Sequence, residues 1–135
     1  MHKYLAGYLA AALTMIALDI LWLAVIAKPL YQQGIGHLMA EQPKLLVALV
    51  FYVVYAAGLL IFAMAPHSED PAWGRTMLMG ALFGFFAYAT YDLSNFATLK
   101  NWPFGLTLVD IAWGTALSAM SAGVGKAAMN WASKV

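Results

Sequence analysis

The sequence predicts an all-α protein: a four-helix transmembrane bundle, antiparallel, with both termini on the same side. Three observations lead there. Of 135 residues, 64% are hydrophobic and 10% charged, whereas a soluble domain is roughly 45–50% apolar and about 25% charged. Four apolar segments, roughly 4–27, 45–65, 76–98 and 104–125, each supply the ~20 residues needed to cross a ~30 Å hydrocarbon layer. The connections between them, "KPLYQQGIGHLMAEQPK", "PHSEDPAWGR" and "KNWPFG", carry proline, glycine or charge.

Lipid offers no partners for open backbone groups, so runs of this length form helices. The first segment ends in "AVIA" before Lys28, as a cleavable signal peptide would. Its apolar run exceeds the about 7–15 residues of a signal core, so it reads as a retained helix. The second and third segments echo each other in "FYVVY" (51–55) and "AYATY" (87–91). The first and fourth share "ALDILW" and "LVDIAW", which place Asp19/Trp22 and Asp110/Trp113 three apart on one helical face. Matches this short fit either duplication or coincidence in low-diversity apolar sequence. The whole chain, 1–135, is expected to be one integral membrane domain, with "YQQGIGHL" in the first connection packed as a lid over one end.

Several classes are excluded. A formal charge of +1 gives no basic footprint for nucleic acid. The absence of cysteine removes disulfides, thiolate metal sites and redox dithiols. Lys3, Arg75, Lys126 and Lys134 fall on the terminal side, against Lys28, Lys44 and Lys100 on the other, a slight bias toward cytoplasmic termini. Tyr4, Trp73, Trp102 and Trp131 read as interfacial belts.

Three of the six acidic residues lie inside the apolar segments. Counting from the helix ends at 1.5 Å per residue, Asp19, Asp92 and Asp110 fall roughly 10 Å below the same membrane surface. Tyr52 falls in that layer too. A central Asp costs ~2.5–3.5 kcal/mol on insertion scales, so such acids are expected to face the bundle interior and to mark functional sites. The faces agree: Tyr8, Ala12, Met15, Asp19 and Trp22 align on the first helix, and Gly84, Tyr88, Asp92 and Asn95 on the third. Thr107, Asp110, Gly114 and Ser118 align on the fourth, with small residues that permit close approach. The expected pocket is therefore Asp19, Asp92, Asn95 and Asp110, walled by Trp22, Trp113, Tyr52, Tyr88 and Tyr91.

The phrases "FGFFAYATYDLSNFATLKNWP", "TLVDIAWGT" and "LDILWLAVIAKPLY" resemble an uncharacterised family of small bacterial membrane proteins with four helices. The likeness covers nearly the whole chain and implies a protein of the bacterial inner membrane. It brings no activity with it.

The residues leave three readings open. Carboxylates with aromatic walls suit a proton, a cation or a small amphipathic ligand, with charge from the acids and cation–π attraction from the rings. Four short helices make a small pocket, so transport would imply a homodimer or larger membrane complex. Alternatively, the acids are interhelical hydrogen-bond glue in an accessory or structural subunit, worth ~0.6 kcal/mol per contact. Third, a protonated Asp is a general acid toward a lipid, with Trp and Tyr steadying a developing cation. No lysine or arginine lies at this layer, so the three carboxyls are expected to titrate as a coupled set with at least one proton retained. His37, in "GIGHLMA", fits a cap over the pocket, a contributor to a metal site, or an exposed loop position. No metal-ligand spacing is present, no cofactor is indicated, and membrane lipid is the expected surrounding partner.

Overall fold

The computed structural model describes residues 2–135, nearly all of them helical. Helix α1 spans His2–Leu21 and continues through a π-helical turn at Trp22–Ile26; α2 spans Lys28–Ile35. Helix α3 spans Leu45–Leu59 and continues through a second π-helical turn, Leu60–Met64, and a 3-10 turn, Ala65–His67. Helices α4 and α5 span Gly74–Thr98 and Phe104–Ser133. Three continuous helical stretches, His2–Ile26, Leu45–His67 and Phe104–Ser133, are long and apolar enough to cross a membrane. Helix α4 has sufficient length at 25 residues, but Tyr88, Tyr91, Asp92 and Asn95 interrupt its apolar run.

Two elements differ from the sequence reading. The segment 28–35 is a helix rather than a loop, begun by Pro29 in its first turn, where a missing N–H costs nothing. Gly34 of α2 lies beside Pro103 and Leu106, so α2 lies across the start of α5. The last helix runs eight residues beyond 125, to Ser133, because Lys126 does not end it. The Lys126 side chain is fully buried and donates from Nζ to the carbonyls of His67 (2.9 Å) and Asp70 (2.7 Å). An ammonium that would otherwise stop an apolar helix thus satisfies two carbonyls of the α3–α4 connection. The α4–α5 connection is short, and Asn101 takes the left-handed conformation there (φ 61°), which asparagine tolerates better than most residues.

Helices α4 and α5 make the most extensive contact in the molecule, followed by α1 and α5. Gly80 and Gly84, one turn apart on α4, meet Ser118 and Ala122, and Ser118 and Gly114, of α5. A methyl group at Gly84 would run into the Gly114 carbonyl and the Ser118 side chain. Close approach of this kind drives helix association in lipid, where no hydrophobic force acts between helices. On α1 the buried ladder is Gly7, Ala11, Met15 and Asp19, while Tyr8 and Ala12, expected to be inward, flank it half-buried. The ladder packs into a core of Met64, Leu117, Met129 and their neighbours.

Helix α3 is joined differently. Helix α4 packs on its Leu60–Met64 turn rather than along its body, and residues 45–54 are exposed apart from half-buried Tyr52. The body of α3 therefore leaves space between itself and the α4–α5 pair.

The glycine contacts give a matched test. Gly84→Ala should destabilise the protein by about 1–3 kcal/mol, the usual cost of overpacking. At Gly123 a methyl would meet only the Met77 side chain at ordinary contact distance, 3.5 Å or more, so Gly123→Ala should be near neutral. Thermal unfolding in detergent checks both; equal effects would contradict the backbone-contact account.

Candidate functional site

Asp19 closes the buried ladder of α1 just before the π-helical turn. An extra residue in a turn rotates the remainder of the helix, and such bulges recur at functional sites. Beyond Asp19, Trp22 stacks flat on Trp113 of α5, with ring centroids 4.4 Å apart and planes 5° apart. That pairing orients the Trp113 indole, whose Nε1–H donates to Asp19 Oδ1 at 2.8 Å. The Tyr52 hydroxyl, from α3, donates to Asp19 Oδ2 at 2.6 Å. Both oxygens of Asp19 are thereby satisfied from two different helices.

Asp110 is served by α2. The Tyr31 hydroxyl donates to Asp110 Oδ1 at 2.5 Å and itself accepts from the Trp22 indole N–H at 3.1 Å. A relay Trp22–Tyr31–Asp110 thus ties the end of α1, α2 and α5 together.

Asp92 of α4 stands apart. It is completely buried, and among the described residues no group hydrogen-bonds to either of its carboxyl oxygens. Asp110 lies beside it. Tyr88, one turn earlier, is set by contact with Gly114, where a methyl group would overlap the tyrosine ring.

The three acids line one cavity of about 500 Å³. Of the ten residues singled out from the sequence, Asp19, Asp92, Asp110, Tyr52, Tyr88, Tyr91 and Trp113 line it. Trp22 lies behind the wall, stacked on Trp113. Asn95 is half-buried one turn beyond Asp92 and is not among the lining residues. His37 is exposed in the 3-10 turn after α2, and the lid over the cavity is formed by Tyr31 and Ile35 instead. The acids do not close into a metal site: among the described residues no three His, Asp or Glu side chains group at metal-binding range.

Tyr31, Tyr55 and Trp102 also line the cavity, although nothing in their sequence context marks them for it. Trp102, read from sequence as an interfacial belt residue, is buried. It donates to Thr107 Oγ1 at 3.1 Å and meets Tyr91 edge-on. Trp73 and Trp131, in contrast, are exposed.

Chemically, the site contains one carboxyl committed to protein donors, one held by a tyrosine, and one, Asp92, that receives no donor among the described residues and lies within hydrogen-bonding reach of the Asp110 carboxyl. A buried polar group without a partner costs about 1–3 kcal/mol, and replacement by an apolar residue of similar shape relieves that cost. Asp92→Leu should therefore leave stability unchanged or raise it. Asp19→Leu should lower it by roughly 1–3 kcal/mol, at ~0.6 to ~1.7 kcal/mol for each of the two membrane hydrogen bonds lost. Thermal unfolding of the two variants side by side measures the contrast.

The family profile described as "Predicted membrane protein (DUF2177)" matches residues 4–127. Comparison with curated proteins gives no match, and comparison with solved structures gives none either. Because the profile spans nearly all of the sequence, the chain belongs to the DUF2177 family of predicted membrane proteins.

Proposed function

We propose that this protein is a four-span antiparallel bundle of the bacterial inner membrane whose acidic, aromatic cavity binds or carries a proton, a cation or a small amphipathic ligand. The observation that carries the reading is Asp92, a buried carboxyl with two unused oxygens in the wall of a cavity of about 500 Å³. Intramembrane acids are functional by default, and no donor among the described residues offsets the cost of this one, whose polar neighbour is a second carboxyl, Asp110. Helix α4 serves as the fourth span, because its Tyr88 and Asp92 line the cavity instead of meeting lipid. Lys3 pairs with Glu69 at 2.6 Å, and Lys126 holds the carbonyls of His67 and Asp70. These contacts draw both ends of the chain toward the α3–α4 connection, which supports termini on one side, assigned to the cytoplasm. Transport through so small a cavity would recruit a second copy of the chain.

The glue reading fits Asp19, whose two oxygens are bonded from α3 and α5. Asp92 receives no such donor among the described residues and meets only the Asp110 carboxyl. The acids thus divide into two held by protein donors, Asp19 and Asp110, and a ligand-handling one, Asp92.

Dicyclohexylcarbodiimide, a lipid-soluble reagent, condenses with protonated carboxyls to give a stable N-acylurea. Protein in membranes should acquire this adduct at Asp92, located by mass spectrometry of peptides, and Asp92→Asn should fold normally without it. Adducts at Asp19 with none at Asp92 would contradict the assignment.

A further inference from the structure

We propose, resting on the reading of Asp92 above, that the cavity takes a lipid-soluble amine bearing N–H donors, entering from the bilayer as the neutral base. Four features of the cavity lead to this class of ligand. The two Asp92 oxygens lack donors among the described residues, so a complementary group must present hydrogens. A quaternary ammonium has none; a primary or secondary ammonium presents two or more, and charge-assisted bonds of this kind are the strong ones. The surrounding rings, Tyr52, Tyr88 and Trp113 among them, provide the faces that attract a cation in a desolvated site. Asp19 and Asp110 repel an anionic head group from the same space. The volume, about 500 Å³, falls within the roughly 300–1,000 Å³ of small-molecule pockets, so the ligand has an apolar body as well as a head.

Exposure defines the route. The polar end of the cavity is covered by buried Tyr31 and Trp102. Its exposed rim is Leu23, Phe51 and Tyr91, apolar and aromatic side chains on the flanks of α1, α3 and α4 that face lipid. A neutral amine reaches this rim dissolved in the bilayer.

The binding step balances without importing charge. The Asp92 carboxyl gives its proton to the amine lone pair: one O–H bond breaks, one N–H bond forms, and a carboxylate–ammonium pair remains, neutral overall. An isolated charge would not be tolerated there, whereas this pair is. Asp110 gives up its contact with the Asp92 proton and keeps the hydrogen bond from Tyr31.

The test uses the full chain in lipid nanodiscs with decylamine, decyltrimethylammonium and decanol as probes, and protein-free nanodiscs to subtract partition into lipid. Tryptophan fluorescence, with Trp102 and Trp113 in the cavity wall, reports occupancy. Decylamine should bind saturably, about tenfold or more tighter than either other probe, and about tenfold weaker in an Asp92→Asn protein with unchanged thermal unfolding. Decyltrimethylammonium binding as tightly as decylamine would overturn the N–H requirement while leaving a cation site at Asp92. Absence of saturable amine binding, with Asp92 still labelled by carbodiimide, would overturn the amine and leave the reactive carboxyl. Failure of both would overturn both.

Discussion

The close backbone approach of α4 and α5 is the constraint on which the other features rest. Gly80 and Gly84 admit the α5 backbone at Ser118 and Gly114, and Gly114 in turn admits the Tyr88 ring. With no hydrophobic force available between helices in lipid, such contact is what holds the pair together. It brings Asp92 and Asp110, carried on facing helices, beside each other. Helix α3, which packs chiefly through the region from Tyr55 to Met64, lacks that glycine seam, and the space left beside its first half becomes the cavity. A tight pair and a loosely joined third helix are thus two aspects of one arrangement: rigidity under the acids and room in front of them.

Within that frame, similar carboxyls differ through their neighbours. Asp19 and Asp92 are both buried, yet the first is fully hydrogen-bonded and the second is not. An Asp deep in a helix costs ~2.5–3.5 kcal/mol to insert, and a pair of interhelical bonds at ~0.6 kcal/mol each recovers only part of that. Asp92 receives no donor from the described residues, and its polar neighbour is another carboxyl, Asp110. A group retained against stability is the usual mark of function, since activity and stability trade against one another. The aromatic surroundings serve both acids: they donate from Tyr52, Tyr31 and Trp113 to the structural carboxyls and wall the free one.

Much of this was legible in the sequence. Depth along three apolar segments was enough to bring Asp19, Asp92 and Asp110 to one cavity with Tyr52, because helical rise is nearly constant and acids in lipid turn inward. The Asp–Trp spacing shared by the first and last helices marked the two tryptophans that stack. What escaped was set by tertiary contact. Tyr31 sits in a polar stretch that reads as a loop until Pro29 starts a helix and α5 gives it a surface to lie on. Trp102 comes after a charged turn, where a belt residue is the ordinary expectation, and only its bond to Thr107 draws it inward. Gly84 was placed on the inward face of its helix, yet the α5 residues that it and Gly80 meet depend on register. Lys126 looked like a helix end because hydropathy cannot register the carbonyls that receive it. Asn95 lies outside the lining because a shared helical face does not fix a side chain's reach, and of its three readings His37 takes the exposed loop position.

Asp92 is proposed to serve something other than the protein's own packing. An experimental structure in lipid, at a resolution that shows bound molecules and side-chain rotamers, addresses it directly. Density should occupy the cavity, with a donor atom about 3 Å from an Asp92 oxygen. A collapsed cavity in which both Asp92 oxygens are taken up by side chains of neighbouring helices would contradict the claim.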